Sequence, residues 1–529
     1  MRTVGSVLCA ASLMWAAAGV VAQNPPSTQS SQQPGQQEGR PLAPEELERE
    51  LPAPPPPPPL TKSQVSNFTP MAADADIAAA LQEVSPQQVR ATIEKLVSFN
   101  SRNTNGFAHP EQAASGKGIV AARDWIKSEF ERYSQACGGC LEVRLDSYVQ
   151  PKGRRIKEPT EVFNVYAVMR GSDPENAKRI YLVTGHYDSF VARQMFDLDV
   201  AAPGANDDGS GTAVSLECAR VLSKHKFPAT IIFLTVAGEE QGLLGSAHLA
   251  KRAREESWNL GGVLNNDIVG GNRTPGDNTQ NPNTVRVYSE GLPYVASPNN
   301  PAGLPVLVTP AQLRTIRTNG YESDSPSREL ARYIRETGAA YSKWLNKGKF
   351  SPLLEFRADR FGRGGDHTSF NQNGFAAVRF TEFREDFHHQ HQAVRVENGI
   401  EYGDLPKFVD FDYVANVARL NAATLASLAA APAPPGNVRI RGFSDDNNSS
   451  FAWEPAPGGL AVSYEIVWRA TSAADWEHVV NVGNVTEITV PESKDNVVFA
   501  VRSVDARAHR SVAVVPQAQR RPGAPPPVE

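Results

Sequence analysis

Cysteine is scarce in this chain, with 4 in 529 residues, and no long apolar run follows the first two dozen positions. The first shortage excludes a disulfide-stapled scaffold and argues against a cysteine-built metal centre, since a second CxxC to join CGGC is missing. The second excludes a polytopic membrane protein, since each spanning helix needs about 20 apolar residues. An excess of positive charge is missing too. Lys and Arg number 53 against 58 Asp and Glu, a net charge of -5, which argues against nucleic acid as a partner.

What the chain has is length and unevenly placed proline, and both point to two or more domains with linkers. Met1 to Ala22 carries Arg2, an apolar middle and a Val20-Val21-Ala22 ending, the pattern of an export signal. The mature protein is therefore expected to start at Gln23 and to be periplasmic or secreted, without membrane insertion. Residues 23–71 are rich in Pro and Gln, with the Pro54–Pro59 run closing their stretch up to about Leu60, and read as a disordered spacer or propeptide. Cys9 leaves with the signal. Cys137 and Cys140 lie close enough in CGGC to form a small disulfide in an oxidising compartment, and Cys218 falls on an apolar helix face.

From residue 72 to 431 strand patterns alternate with helix patterns. Strands are expected at 164–169, 179–184, 230–234, 263–268 and 376–380, and helices at 211–223, 327–343 and 411–428. This rhythm predicts an α/β domain: a mixed, largely parallel sheet with helices on both faces. Residues 432–436 read as a linker. Beyond them, 437–516 contains short alternating segments that resemble a fibronectin type III sandwich, with Val497 where the corner tyrosine is expected. Residues 517–529 read as a disordered tail.

Polar residues collect where the α/β strands end, the edge at which open sheets bind ligands. His186 and Asp188 sit two apart in GHYDS, so a carboxylate can stand behind an imidazole. Asp207 lies in PGANDDGSG, a glycine-rich turn entering a helix. Glu239 and Glu240 arrive together in TVAGEEQGLLGS, Asp267 ends NND, and His388, His389 and His391 follow the last strand in FREDFHHQH. Each motif alone is ordinary capping or surface chemistry. Jointly they supply imidazole and carboxylate without thiolate, which suits zinc in an open site, with one carboxylate able to bridge two ions about 3.5–4 Å apart.

In this order the five motifs resemble those of the co-catalytic zinc exopeptidases, metallopeptidase family twenty-eight. That family includes secreted bacterial aminopeptidases, glutamate carboxypeptidases and the inactive transferrin receptor. The resemblance implies two zinc ions, one held by His186, Asp207 and Asp267, the other by Asp207, Glu240 and His389, with Asp207 bridging. His391 competes with His389 for that place, because Ala393 stands where an acid is common. The resemblance further implies that Asp188 orients His186 and that Glu239 is the general base. It also gives His388 the position where some relatives place an oxyanion-stabilising tyrosine.

Within that family an acidic site that can hold a free amine favours removal of N-terminal residues from peptides. The rivals are a carboxypeptidase or dipeptidase, for which Arg360, Arg363 and Arg384 could hold a carboxylate, and a glutaminyl-cyclase-like transferase. A protein that acts mainly by binding, with protein or polysaccharide as ligand of the terminal sandwich, is a fourth reading. Gly365-Asp366-His367 is expected to support the site rather than to ligate.

Overall fold

The computed structural model describes residues 60, 64–271, 273–293, 308–359, 361, 363–441 and 447–519. The export signal, Cys9, the Pro54–Pro59 run, Arg360 and residues 520–529 of the tail lie outside the described residues. The described residues fall in one compact unit.

The first strand, β1 (Ser66–Asn67), belongs to the C-terminal part and is taken up below. The main sheet comprises β2 (Leu141–Gln150), β3 (Thr160–Met169), β4 (Arg179–His186), β5 (Thr230–Val236), β6 (Asn259–Asn266), β7 (Thr284–Ser289), β8 (Ser351–Glu355) and β9 (Ala377–Glu382). Their spatial order is β2-β3-β5-β4-β6-β9-β7-β8. The central four strands, β5, β4, β6 and β9, are mutually parallel, while β3 and β7 pair antiparallel with their central neighbours.

Strand β5 shows why the centre is parallel and covered on both sides. All seven of its residues are buried. Ile231 and Phe233 point into a core shared with Val89, Val214 and Leu420, from helices Pro86–Val97, Gly209–Leu222 and Phe411–Ala430. Ile232, Leu234 and Val236 point the other way, against Leu249, Ala250 and Phe370. A strand apolar on both faces is stable only between two helical layers. The entry to helix Pro86–Val97 follows local chemistry: Ser85 accepts a hydrogen bond from the Gln88 amide at 3.3 Å, and Pro86 takes the first turn.

Strands β2 and β8 are not legible in the sequence. Both are edge strands, and β2 (LEVRLDSYVQ) is only partly buried, so its apolar signal is weak. A two-stranded hairpin, β10 (Arg395–Glu397) with β11 (Ile400–Tyr402), follows the late histidines.

The C-terminal part is all-β, built from β12 (Gly436–Arg441), β13 (Ser449–Glu454), β14 (Ser463–Ala470), β15 (His478–Gly483), β16 (Glu487–Val490), β17 (Val497–Val504) and β18 (Gln517–Gln519). They form two four-stranded sheets, β16-β13-β12-β18 and β1-β15-β14-β17. Val438, Ile440, Phe451 and Trp453 of one sheet pack against Ile466, Trp468, Val480 and Phe499 of the other.

Two stretches read from sequence as disordered are strands here. Ser66–Asn67, in the spacer, pairs antiparallel with β15, and Gln517–Gln519, in the tail, pairs parallel with β12. Edge strands are held by backbone hydrogen bonds, which polar composition does not reveal.

Residues 432–436 are not a free tether either: Ala433 is buried, and Gly436 already pairs in β12. The two parts meet through buried charge. Glu336 Oε2 lies 2.8 Å from Arg502 Nη1, its Oε1 lies 3.2 Å from Arg510 Nη1, and it also accepts the Met71 amide at 3.1 Å. Arg502 is paired on its other side with Glu465 at 2.7 Å.

Replacing Arg502 by Met leaves two buried carboxylates with only Arg510 between them. We expect a loss of about 3 kcal/mol, the low end for breaking a buried pair, read from denaturant unfolding.

Candidate metal centre

The parallel strands all end at one edge: β4 at His186, β5 at Val236, β6 at Asn266 and β9 at Glu382. From β4 the chain passes through helix Gly209–Leu222 to β5 on one side, whereas β6 neighbours β4 on the other. The connections diverge between β4 and β6, and a crevice at strand ends opens at such a point. His186 closes β4, Asp267 follows β6, and Asp207 lies on the loop that leads from β4 into the helix. Glu239 and Glu240 follow β5 in a turn opened by Gly238, whose φ of 82° and close approach to Leu244 favour glycine.

These side chains converge on two groups that share one carboxylate. His186, Asp207 and Asp267 form the first, and Asp207, Glu240 and His391 the second. Asp207 Oδ1 is 3.1 Å from His186 Nε2, and Asp207 Oδ2 is 2.8 Å from His391 Nε2. His391 Nε2 is also 3.0 Å from Glu240 Oε2, and His186 Nε2 is 3.9 Å from Asp267 Oδ1.

The surroundings hold this arrangement. Asp188 stands behind His186, with its carbonyl 3.2 Å and its Oδ1 3.4 Å from Nδ1. Its carboxylate also accepts the amides of Glu239 and Glu240, each at 3.3 Å, and so ties the end of β4 to the turn after β5. Asp208 accepts the amides of His186, Gly211 and Ile268. Arg379 reaches Asp267 Oδ2 at 3.1 Å and Asp359 at 2.7 Å. Asp404 accepts the Asp207 amide at 2.7 Å, while buried Arg102 donates to the carbonyls of Pro203 and Gly204. Sequence reading misses Arg102, Asp404 and Arg379, since each is distant in the chain and acts through backbone or through another side chain.

The electrostatics of the buried groups describe a site that attracts cations. Burial opposes a charged His186, yet Asp188 and Asp207 outweigh it and hold the imidazole well above its ordinary value. His391 behaves alike under Glu240 and Asp207. Burial also opposes ionised Asp207, but His391 and His186 draw it well below the usual carboxylate range. Glu239, buried and near Asp267, Glu240 and Asp366, is pushed well above that range. Burial raises Glu240 to about 7 and Asp404 to about 6.

The residues present fit zinc. His186 Nε2 and Glu240 Oε1 are buried and make no well-directed hydrogen bond, which leaves each free to ligate. The donors are imidazole nitrogens and carboxylate oxygens, an open-site zinc set.

Two expectations change. His389 does not join the cluster: its ring stacks on Phe408 at 3.8 Å, and the left-handed turn at His391 brings that residue inward instead. Ring contacts, invisible to motif spacing, decide between them. His388 is turned to solvent, with 52% of its side chain exposed and Nδ1 2.9 Å from Asp386, so it has no reach to the cleft. Asp366 is buried near Glu239, and His367 Nε2 lies 3.2 Å from the Ala358 carbonyl, outside both groups. Cys137 and Cys140 are bonded to each other, and Cys218 is buried and free.

The cleft over the cluster has a volume of about 550 Å³ and is walled by Phe190, Met195, Leu243, Ile268, Arg155 and Arg363. Arg384, offered by the sequence as a carboxylate ligand, is not on this wall and lies 3.8 Å from Asp277.

Comparison with known proteins agrees with the zinc chemistry. Residues 164–304 match the model of peptidase family M28. A protein of Pyrenophora teres f. teres (strain 0-1) named "Probable zinc metalloprotease" is 45% identical over 450 residues, 85% of this chain and 88% of its own. Among solved structures, the LapA aminopeptidase of Legionella pneumophila is similar at 20% identity and a TM-score of 0.45, over 73% of this chain and 81% of that one. The glutaminyl cyclase of Fimbriiglobus ruber is similar at 16% identity and 0.43, over 65% and 95%. With relatives of that identity aligned along most of its length, this chain belongs to peptidase family M28 and is a zinc metallopeptidase.

Proposed function

We propose that the protein is an exported aminopeptidase that uses two zinc ions to remove N-terminal residues from peptides. The observation that carries this reading is the division of Asp207 between two ligand groups, one oxygen 3.1 Å from His186 and the other 2.8 Å from His391. His186, Asp207 and Asp267 would hold one ion, and Asp207, Glu240 and His391 the second. Zinc there supplies Lewis acidity toward the scissile carbonyl and lowers the pKa of a water.

The protein's own part is positioning and proton transfer. Glu239 lines the cleft beside both groups; cations there would offset the burial and the neighbouring acids that raise its pKa, and its carboxylate would take a proton from the attacking water and return it to the departing amine. Asp188 keeps the His186 ring in place and holds the Glu239 amide at 3.3 Å, so base and ligand share one support. The acidic floor favours a free α-amine over a carboxylate at the inner end of the cleft. The export signal read at Met1–Ala22 and the Cys137–Cys140 disulfide support an oxidising compartment outside the cytosol.

Hydrolysis of aminoacyl amides and their N-acetylated counterparts, with and without chelator, tests the activity. Only the free-amine set should be cut, and only without chelator. Failure to cut either set, with cleavage of N-acylated dipeptides that carry a free C-terminal carboxylate, would replace this reading with a carboxypeptidase.

Glu239→Gln is expected to lower kcat about 10²–10⁴-fold while zinc content stays at two per chain, the signature of a lost base rather than a lost ligand. Zinc analysis of His391→Ala should show a weakened or missing ion, and His389→Ala should retain both. The opposite pattern would return the ligand role to His389. Protein collected from the culture medium should begin at Gln23; full-length protein confined to the cytosol would remove the export reading.

A further inference from the structure

The hairpin between β2 and β3 turns at the same edge as the metal cluster, because β3 runs antiparallel to β5 and so begins where β5 ends. Its loop, Pro151 to Pro159, carries Lys152, Arg154, Arg155 and Lys157. Lys152, Arg154 and Lys157 are exposed, whereas Arg155 is half-buried and lines the cleft. The loop is anchored. Ile156 is buried, Asn105 Nδ2 donates to the Arg155 carbonyl at 3.1 Å, and the Lys157 amide donates to Asn105 Oδ1 at 2.9 Å.

Arg155 is then aimed by a single bond: its Nη1 donates to the Glu240 carbonyl at 2.7 Å, which fixes the guanidinium within one residue of the cluster. The other cleft arginines have carboxylate partners, Arg363 with Glu385 at 3.1 Å and Arg379 with Asp267 and Asp359. Glu158, the nearest acid along the loop, lies 3.2 Å from His109. Among the described residues Arg155 makes no ion pair, although a guanidinium matches a carboxylate in a two-pronged geometry.

We propose that Arg155 recognises a carboxylate on the part of the peptide beyond the scissile bond, so that short or acidic peptides are the favoured substrates. This rests on the aminopeptidase reading. The α-amine sits at the acidic floor, and the anionic group is met on the cleft wall by a cation already held in place, which limits the entropy lost on binding. A carboxylate could come from the C-terminus of a dipeptide or from an acidic side chain in the second position. One recognition chemistry serves both.

The two sources are separable with the full zinc-loaded enzyme. Leu-Ala against Leu-Ala-amide reports the terminal carboxylate, and Leu-Glu-amide against Leu-Gln-amide reports the side chain. The wild type is expected to favour the anionic member of at least one pair by roughly tenfold in kcat/KM, mainly through KM, as for a charge-assisted contact. Arg155→Met should bring that ratio to about one, and Arg155→Lys should restore part of it. No preference in the wild type, or a preference that survives Arg155→Met, overturns the proposal, and loss of preference in Arg363→Met alone reassigns it. Failure of the wild type to cut any of the four would instead count against the aminopeptidase reading.

Discussion

The geometry of Asp207 is the constraint on which the site depends. Its two oxygens face two different histidines, 3.1 Å from one and 2.8 Å from the other, and that division holds only if its backbone stays still. The loop before helix Gly209–Leu222 is gripped from both sides for this reason. Asp404 takes the amides of Asn206 and Asp207, and Arg102 takes the carbonyls of Pro203 and Gly204. Neither residue is near Asp207 in sequence. Each satisfies backbone groups that would otherwise be buried without a partner, and in doing so sets the direction of one side chain.

The same crevice concentrates negative charge. Asp188, Asp207, Asp208, Asp267, Glu240, Asp366 and Asp404 are all buried there, against His186, His391, Arg102 and Arg379. Burying so many carboxylates is unfavourable without compensating cations, and the imidazoles held well above their ordinary values express that demand. A pair of divalent ions would meet it. The wall of the cleft also carries positive charge, since Arg155 and Arg363 line it.

The all-β part is locked to the catalytic part rather than tethered to it. Strand β1 precedes the catalytic region in the chain yet pairs with β15, and the Met71 amide reaches Glu336 where Arg502 and Arg510 also meet. The chain therefore crosses the boundary twice, at 64–71 and again at 431–436. Buried ion pairs at such a boundary favour one relative placement, because any other leaves charge unpaired.

The sequence by itself determined the elements and the chemistry of the cluster. Periodicity located the buried strands β4, β5, β6 and β9, because strands covered on both faces carry short apolar segments such as IIFL in β5 and VL in β6. The polar residues directly after them, His186, Asp188, Glu239, Glu240 and Asp267, were legible because strand ends are where such a fold places its chemistry. Tertiary structure alone decided what depended on distant contacts. His391 faces the cluster while His389 stacks on Phe408, and the edge strands β1, β2 and β18 are held by backbone pairing with little apolar signal. Arg155 came to the cleft through the direction of an antiparallel hairpin. Local pattern reports burial along one segment, whereas these features arise from what a second segment, hundreds of residues away in some cases, brings against it.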